Sequence, residues 1–323
     1  ITLDAHPFVG EFQWDSNFQI SFNRNTLVAL SGTTAASIVG YGQWSDVVCV
    51  SEIGKPLYNF YGYIVEGVYE SLEDIENSPK TAKHPSNGVY NRANTVWVGD
   101  LKYKDINEDG VINDQDRTDI GSPLPKFTFG WNNTFRYKGF DLNIFLNGSY
   151  GNKVLNYSLM NGPSGGLASM RSAWVNQNND AIKDRAQLVP IDPDKVYEDG
   201  SMWYNDITNV KVANSGTKTP RPTLNDPNDN DRLSTRYIED GSYLRIKNLT
   251  LGYTFPKKWM QKIKFDNIRI YCNIQNLYTF TKYSGYDPEV GASTQDSSGY
   301  AYGVDNGRYP SPTTYSFGVS LTF

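Results

Sequence analysis

The chain has 323 residues, with 30 Lys and Arg against 35 Asp and Glu and a formal net charge of -5. This balance argues against a sequence-independent nucleic-acid binder, which needs a clustered basic face to displace counterions from phosphates. Hydrophobic residues make up only 38% while aromatics reach 14%, with 23 Tyr, 15 Phe and 7 Trp, a composition that suits strands with one apolar and one polar face.

In chain order, the strongest signals are period-two runs of about ten residues, the length a tilted strand needs to cross hydrocarbon. Phe12, Trp14, Phe18, Ile20 and Phe22 alternate with Gln13, Asp15, Asn17, Gln19 and Ser21, as a wall between lipid and water requires. Phe127, Phe129, Trp131 and Phe135, then Phe140, Leu142, Ile144 and Leu146, flank a tight Tyr137-Lys138-Gly139 turn and predict a hairpin. Leu249, Leu251, Tyr253 and Phe255 form a run that ends at Pro256; a basic connection with Lys257, Lys258, Lys262 and Lys264 leads to Ile268, Ile270, Cys272 and Ile274. Tyr315, Phe317, Val319, Leu321 and Phe323 form the last run. No stretch approaches the 18 or so continuous apolar residues of a membrane helix, so any spanning falls to strands closed into a barrel.

The connections are unequal. Those at Lys138-Gly139 and over 256–266 are short, whereas long polar loops are expected near 70–126, 155–235 and 281–312. Outer-membrane barrels have this asymmetry, with tight turns in the periplasm and elaborated loops outside. Pro163-Ser164-Gly165-Gly166 and the Asn- and Asp-rich stretch 223–230 read as loop, and 167–177 as one short helix. The chain begins at Ile1 without an initiator Met or signal peptide, which reads as processing or truncation. No linker composition forces a domain boundary.

Asp105-Ile106-Asn107-Glu108-Asp109-Gly110-Val111-Ile112-Asn113-Asp114-Gln115-Asp116 matches calcium-loop spacing. Asp105, Asn107, Asp109, the Val111 carbonyl and Asp116 could offer hard oxygens to Ca2+, and Gly110 the sharp turn. Position 12 is Asp rather than the longer Glu, and the competing reading is a hydrogen-bonded Asx turn. Trp174, Trp203, Tyr204, Tyr286, Tyr300 and Tyr302 stand in polar loops, where they can stack on sugars or hold peptide side chains; membership of an interfacial aromatic girdle or packing between loops is the alternative. His6, His84, Cys49 and Cys272 have no zinc-ligand spacing, and the cysteine separation neither implies nor excludes a disulfide. No nucleophile elbow, phosphate-cradling loop or paired-carboxylate constellation predicts catalysis. On the residues alone a soluble, calcium-stabilised β-sandwich, either a carbohydrate-binding module or a glycosidase fragment, competes with the membrane barrel.

Several blocks resemble one family. Tyr61-Gly62-Tyr63-Ile64-Val65-Glu66-Gly67-Val68-Tyr69, Gly99-Asp100-Leu101-Lys102-Tyr103-Lys104-Asp105, and Asn107-Glu108-Asp109-Gly110-Val111-Ile112 are similar to signatures of SusC/RagA-type TonB-dependent transporters. Asp116-Arg117, Pro125-Lys126-Phe127, Gly241-Ser242-Tyr243-Leu244-Arg245-Ile246-Lys247-Asn248-Leu249, Asn276-Leu277-Tyr278 and Gly285-Tyr286-Asp287-Pro288-Glu289 extend the resemblance. It implies an all-β fold: the C-terminal portion of an antiparallel transmembrane β-barrel of roughly 22 strands with a plugged lumen, about half of them in this chain, with the plug domain and TonB box absent. By the same resemblance the setting is the outer membrane of a Gram-negative, Bacteroidetes-like bacterium. The implied role is non-enzymatic import of glycan oligosaccharides or peptides. The implied partners are a SusD-like surface lipoprotein, the remainder of the same transporter, the TonB complex and outer-membrane lipid. Open strand edges in lipid are costly, so pairing with further polypeptide is expected.

Overall fold

The computed structural model describes residues 1–30, 37–42, 47–161, 184–223, 226–260, 265–291 and 299–323. Its main element is a seven-stranded antiparallel sheet, in order Thr2–Val9, Phe12–Ser21, Phe127–Tyr137, Phe140–Tyr150, Tyr243–Thr254, Asn267–Thr281 and Thr314–Thr322. Each strand pairs with the next in this order. Tight connections follow the first, third and fifth strands, so in an antiparallel meander they share one end of the sheet, and the long connections share the other. Lys138 and Gly139 both adopt positive φ at the tightest turn, and a side chain at position 139 would meet the Thr254 carbonyl at 2.7 Å, so only glycine fits there.

Every period-two run of the sequence lies in this sheet. The Thr2–Val9 strand was not among those runs: its register slips between Ala5 and Phe8, a bulge around Pro7 that breaks the alternation and then restores Phe8 to the side of Trp14. The expectation of about eleven strands is corrected to seven in the main sheet of the described residues, because the long connections build a layer of their own.

One face of the sheet is apolar from edge to edge. Register places Phe8, Trp14, Phe135, Leu142, Leu251, Cys272 and Phe317 in one cross-strand row. Ile144, Leu249, Ile274 and Tyr315 form the next. Leu251, Ile270, Phe317 and Val319 are exposed, and among the described residues no buried hydrophobic side chain belongs to this sheet. A soluble sandwich would bury this face against a second sheet; no described residue covers it here. Aromatic contacts gather at the two ends of the face. Phe8, Phe12, Trp14 and Phe135 interlock near the tight turns, with Phe140 against Tyr253, whereas Phe22, Phe127, Phe129 and Tyr150 interlock near the long loops. The 11-residue Phe127–Tyr137 strand spans about 33 Å along its axis, or about 25 Å of height at the tilt of a membrane strand, the thickness of an outer-membrane apolar band. Two polar residues on this face, Ser16 and Asn133, accept from the indoles of Trp131 and Trp14 at 2.9 and 3.0 Å, which removes their demand for water.

The hydrophobic core sits in the loop layer. One cluster joins Tyr63, Val65, Tyr69, Ile75, Trp97, Leu101, Tyr103 and Val210, and a second joins Val48, Phe60, Leu155, Tyr157, Leu233, Tyr237 and Val304. Small sheets hold these segments, including the parallel pairing of Leu155 with Val304, which ties two different long connections together. No helix of the described residues is long and apolar enough to cross a membrane. The predicted helix over 167–177 lies outside the described residues.

Candidate functional site: a polar wall beneath a clamped loop layer

The face opposite the apolar one is a ladder of polar side chains, placed there by strand alternation. Arg136 donates to Asp15 at 2.5 Å and His6 contacts the same carboxylate at 2.7 Å. Asn143 donates to Asn132 and Thr134, and Asn273 to Asn248 and Thr250, all within 2.9 Å. Arg269 grips Asp141 with two N–H groups, and Glu11, Arg136, Lys138, Asp141 and Arg269 line an open cleft of about 520 Å³ at the tight-turn end. Such a surface offers water-like hydrogen-bonding partners to a hydrated solute.

At the loop end the wall holds the layer by a buried ion pair. Arg245, 2% exposed, projects from Tyr243–Thr254 between Asp287 and Glu289, donating to Asp287 and, at 2.7 Å, to Glu289, while its Nε donates to Thr279. Burial pushes the Asp287 carboxyl up, but the Glu289 N–H and Arg245 outweigh it and hold the group below the usual carboxylate range. Within the layer Arg221 pairs with the fully buried Asp100 at 2.8 Å. Burial raises the Asp100 carboxyl despite this partner. Asn230 receives the Leu101 N–H at 2.7 Å and donates to Asp226 at 2.8 Å, and Asn228 donates to the Leu101 carbonyl. Arg232 lies over both the Tyr63 and Tyr103 rings.

The aromatic candidates separate. Trp203 and Tyr204 meet edge to face, with centroids 5.7 Å apart, in the short turn Trp203–Asn205; Trp203 packs on the first core cluster, and Tyr204 lies under Arg92. Tyr302 stacks on Tyr58 at 5.8 Å. Tyr300 is exposed, and its backbone is where a side chain at Gly40 would collide. Tyr286 is 76% exposed beside the Arg245 clamp, and Trp174 lies outside the described residues.

The 105–116 segment folds as a tight loop whose oxygens meet its own N–H groups. Asp105 accepts from Glu108 and Gly110, Asp109 from Val111, and Asn107 from Asp109. The carboxylate of Asp116, fully buried, accepts from Ile106 and Asn113. Asn107 donates its amide N–H to Asp109 and Gln115. In this arrangement the loop oxygens are engaged by its own backbone, and among the described residues no group of three or more His, Cys, Asp or Glu is placed to hold a metal ion.

Sequence reasoning missed Arg245, Asp100, Arg221, Asn228 and Asn230 as structural keys. The signal available was charge inside otherwise apolar or turn-like blocks: Arg245 between Leu244 and Ile246, and Asp287 beside Pro288.

No protein-family model matches the chain. It is similar to TonB-dependent receptor P3 of Formosa agariphila, 30% identical over 321 residues that cover 97% of this chain and 27% of that protein. It is also similar to TonB-dependent receptor SusC of Bacteroides thetaiotaomicron, 24% identical, covering 100% of this chain and 26% of that protein. The chain thus spans about a quarter of the length of the curated relatives it matches. Among solved structures, the RagAB peptide transporter superposes over 100% of this chain and 28% of its own, with a TM-score of 0.66 at 18% identity. The 'closed-closed' state of the RagAB peptide importer gives 0.63 at 17% identity, over 100% of this chain and 29% of its own.

Proposed function

We propose that this chain, SusC/RagA-like along its whole length, forms the C-terminal part of the barrel wall and the extracellular rim of a TonB-dependent outer-membrane importer. The observation that carries the reading is the two-faced sheet: an uncovered apolar face with aromatic belts at both ends, and a hydrogen-bonded polar face that suits a lumen. The long connections, all at one end, form the external rim, and a SusD-like lipoprotein is the partner assigned to it by the family resemblance. The lumen would be closed and plugged by the remaining polypeptide of the same transporter, which engages TonB. Glycan oligosaccharides or peptides are the ligand classes, with Trp203, Tyr204, Tyr286, Tyr300 and Tyr302 as contacts on the described rim and Trp174 as a further candidate. The chain's part in this is passive guidance of solute, without catalysis.

Deleting the locus and following uptake of labelled oligosaccharides and peptides tests the reading. Loss of uptake of one class supports it, and unchanged uptake together with extraction of the protein without detergent rejects it. We further propose calcium as a conditional ligand of the 105–116 loop, which would require Asn107 to flip its amide and the carboxylates to share their N–H partners. Melting the intact transporter in calcium and in chelator decides this: an upward shift abolished by Asp105→Asn supports binding, and identical curves remove it.

A further inference from the structure

We propose that Arg92, held over Tyr204 beside Trp203, is a binding residue for a carboxylate group on a ligand reaching the loop layer. The inference rests on the reading of that layer as the ligand-facing rim. Its guanidinium carbon lies 5.0 Å from the Tyr204 ring centroid, close enough for the ring to fix the plane of the fork by cation–π contact. Trp203 meets Tyr204 edge to face and is anchored on the first core cluster, so the aromatic platform is rigid.

What distinguishes Arg92 from the other part-buried arginines of the layer is that, among the described residues, its guanidinium has neither an acidic partner nor a hydrogen bond; Arg117 and Arg236 also lack an acidic partner, but they donate to the Val47, Tyr61 and Lys218 carbonyls. Arg221 pairs with Asp100, Arg232 with Asp229, and Arg245 with Asp287 and Glu289. Among the described residues Arg92 makes no ion pair, and its Nε is buried without a hydrogen-bond partner. Its charged neighbours are Arg221 and Asp100, which neutralise each other and leave one positive charge uncompensated. Burial, followed by the like charge of Arg221, pushes the Arg92 guanidinium below its ordinary range, so an incoming anion relieves a cost the fold already carries. A planar guanidinium fork matches a carboxylate with two parallel N–H donors. The adjacent rings offer an apolar surface to whatever carries the acid group, either a uronic-acid oligosaccharide or a peptide with Glu or Asp side chains.

The test uses the intact transporter in detergent, with tryptophan fluorescence and calorimetry as readouts. The probes are an oligogalacturonate and its methyl ester, and a glutamate-rich peptide and its glutamine counterpart. Wild type is expected to bind the acidic member of one pair at least tenfold more tightly than its neutral counterpart, and the pair that discriminates identifies the source of the carboxylate. Arg92→Gln should abolish the discrimination while leaving neutral-probe affinity unchanged, and Arg92→Lys, which keeps the charge but not the fork, should retain part of it. Discrimination that survives Arg92→Gln overturns the proposal, as does a wild type that binds acidic and neutral probes equally. Absence of binding by every probe, with uptake of other ligands intact, overturns the carboxylate assignment while leaving the importer reading standing. Loss of all uptake ligands as well would remove the rim reading itself.

Discussion

At the residue scale, the decisive side chains are those whose charge is buried and spoken for. Arg245 illustrates this, because removing one partner of a buried pair leaves the other uncompensated, at a cost of about 3 kcal/mol. Arg245→Ala should therefore release the 282–291 segment from the wall, read as faster amide hydrogen exchange there with little change in the 140–150 strand; equal protection in both would show that the pair carries no weight. Asp206 makes a pH-dependent case. Burial pushes its carboxyl up, but Lys195, Thr208 and Tyr197 donate to it and bring it down to about 2. A depressed carboxylate stabilises the fold above its unfolded pKa and loses that contribution as pH falls through its folded value. With part of the group in solvent, screening leaves on the order of 1 kcal/mol. Asp206→Asn is expected to lower the protection of Thr208 and Asn209 by that amount at neutral pH, the difference shrinking between about pH 4 and pH 2. A constant difference across that range would place the stabilisation elsewhere.

At the scale of elements, strand alternation decides what each position tolerates. Leu249 and Thr250 are neighbours on one strand and face opposite media: Leu249 shares the apolar row with Ile144 and Ile274, while Thr250 accepts from Asn273 on the polar face. Leu249→Lys should cost about 2–4 kcal/mol, as a cation near the midplane of a lipid-facing wall does, whereas Thr250→Lys should be nearly neutral; folded yield in lipid vesicles, read as the heat-modifiable fraction, compares them. Equal tolerance would mean that the apolar face does not meet lipid. Trp14→Phe keeps the ring but strands the Asn133 carbonyl that Trp14 satisfies at 3.0 Å, for an expected loss of about 1–3 kcal/mol. The strand positions were legible in the sequence because alternation is local and the faces differ in polarity. The Thr2–Val9 strand was not legible, because the bulge between Ala5 and Phe8 shifts the phase halfway along.

At the scale of the whole molecule, the exposed apolar face and the buried core are divided between different parts of the chain. The sheet contributes no buried apolar residue, and the loop layer contributes both hydrophobic clusters. Among the described residues the outer strands Thr2–Val9 and Thr314–Thr322 each pair on one side only, and unpaired backbone groups in hydrocarbon are costly. The chain expressed alone should therefore associate through these edges in detergent. If the proposed barrel reading holds, coexpression with the polypeptide that completes the barrel should yield one discrete species by size-exclusion chromatography; a stable monomer on its own would contradict an open wall.

The sequence by itself determined most of the wall: six of its seven strands, which of their faces is apolar, the turns at 138–139 and 256–266, and the family to which its signature blocks are similar. Those features depend on neighbours one or two residues apart. Only the tertiary structure decided that the Asn- and Asp-rich stretch around 228–230 is a buried hydrogen-bonded centre rather than a solvated loop, that Arg245 reaches Asp287 across 42 positions, and that Tyr204 carries Arg92 above it. The reason is physical: a buried polar group is stabilised by partners distant in the chain, and no local pattern distinguishes an Asn that faces water from one that holds another segment in place.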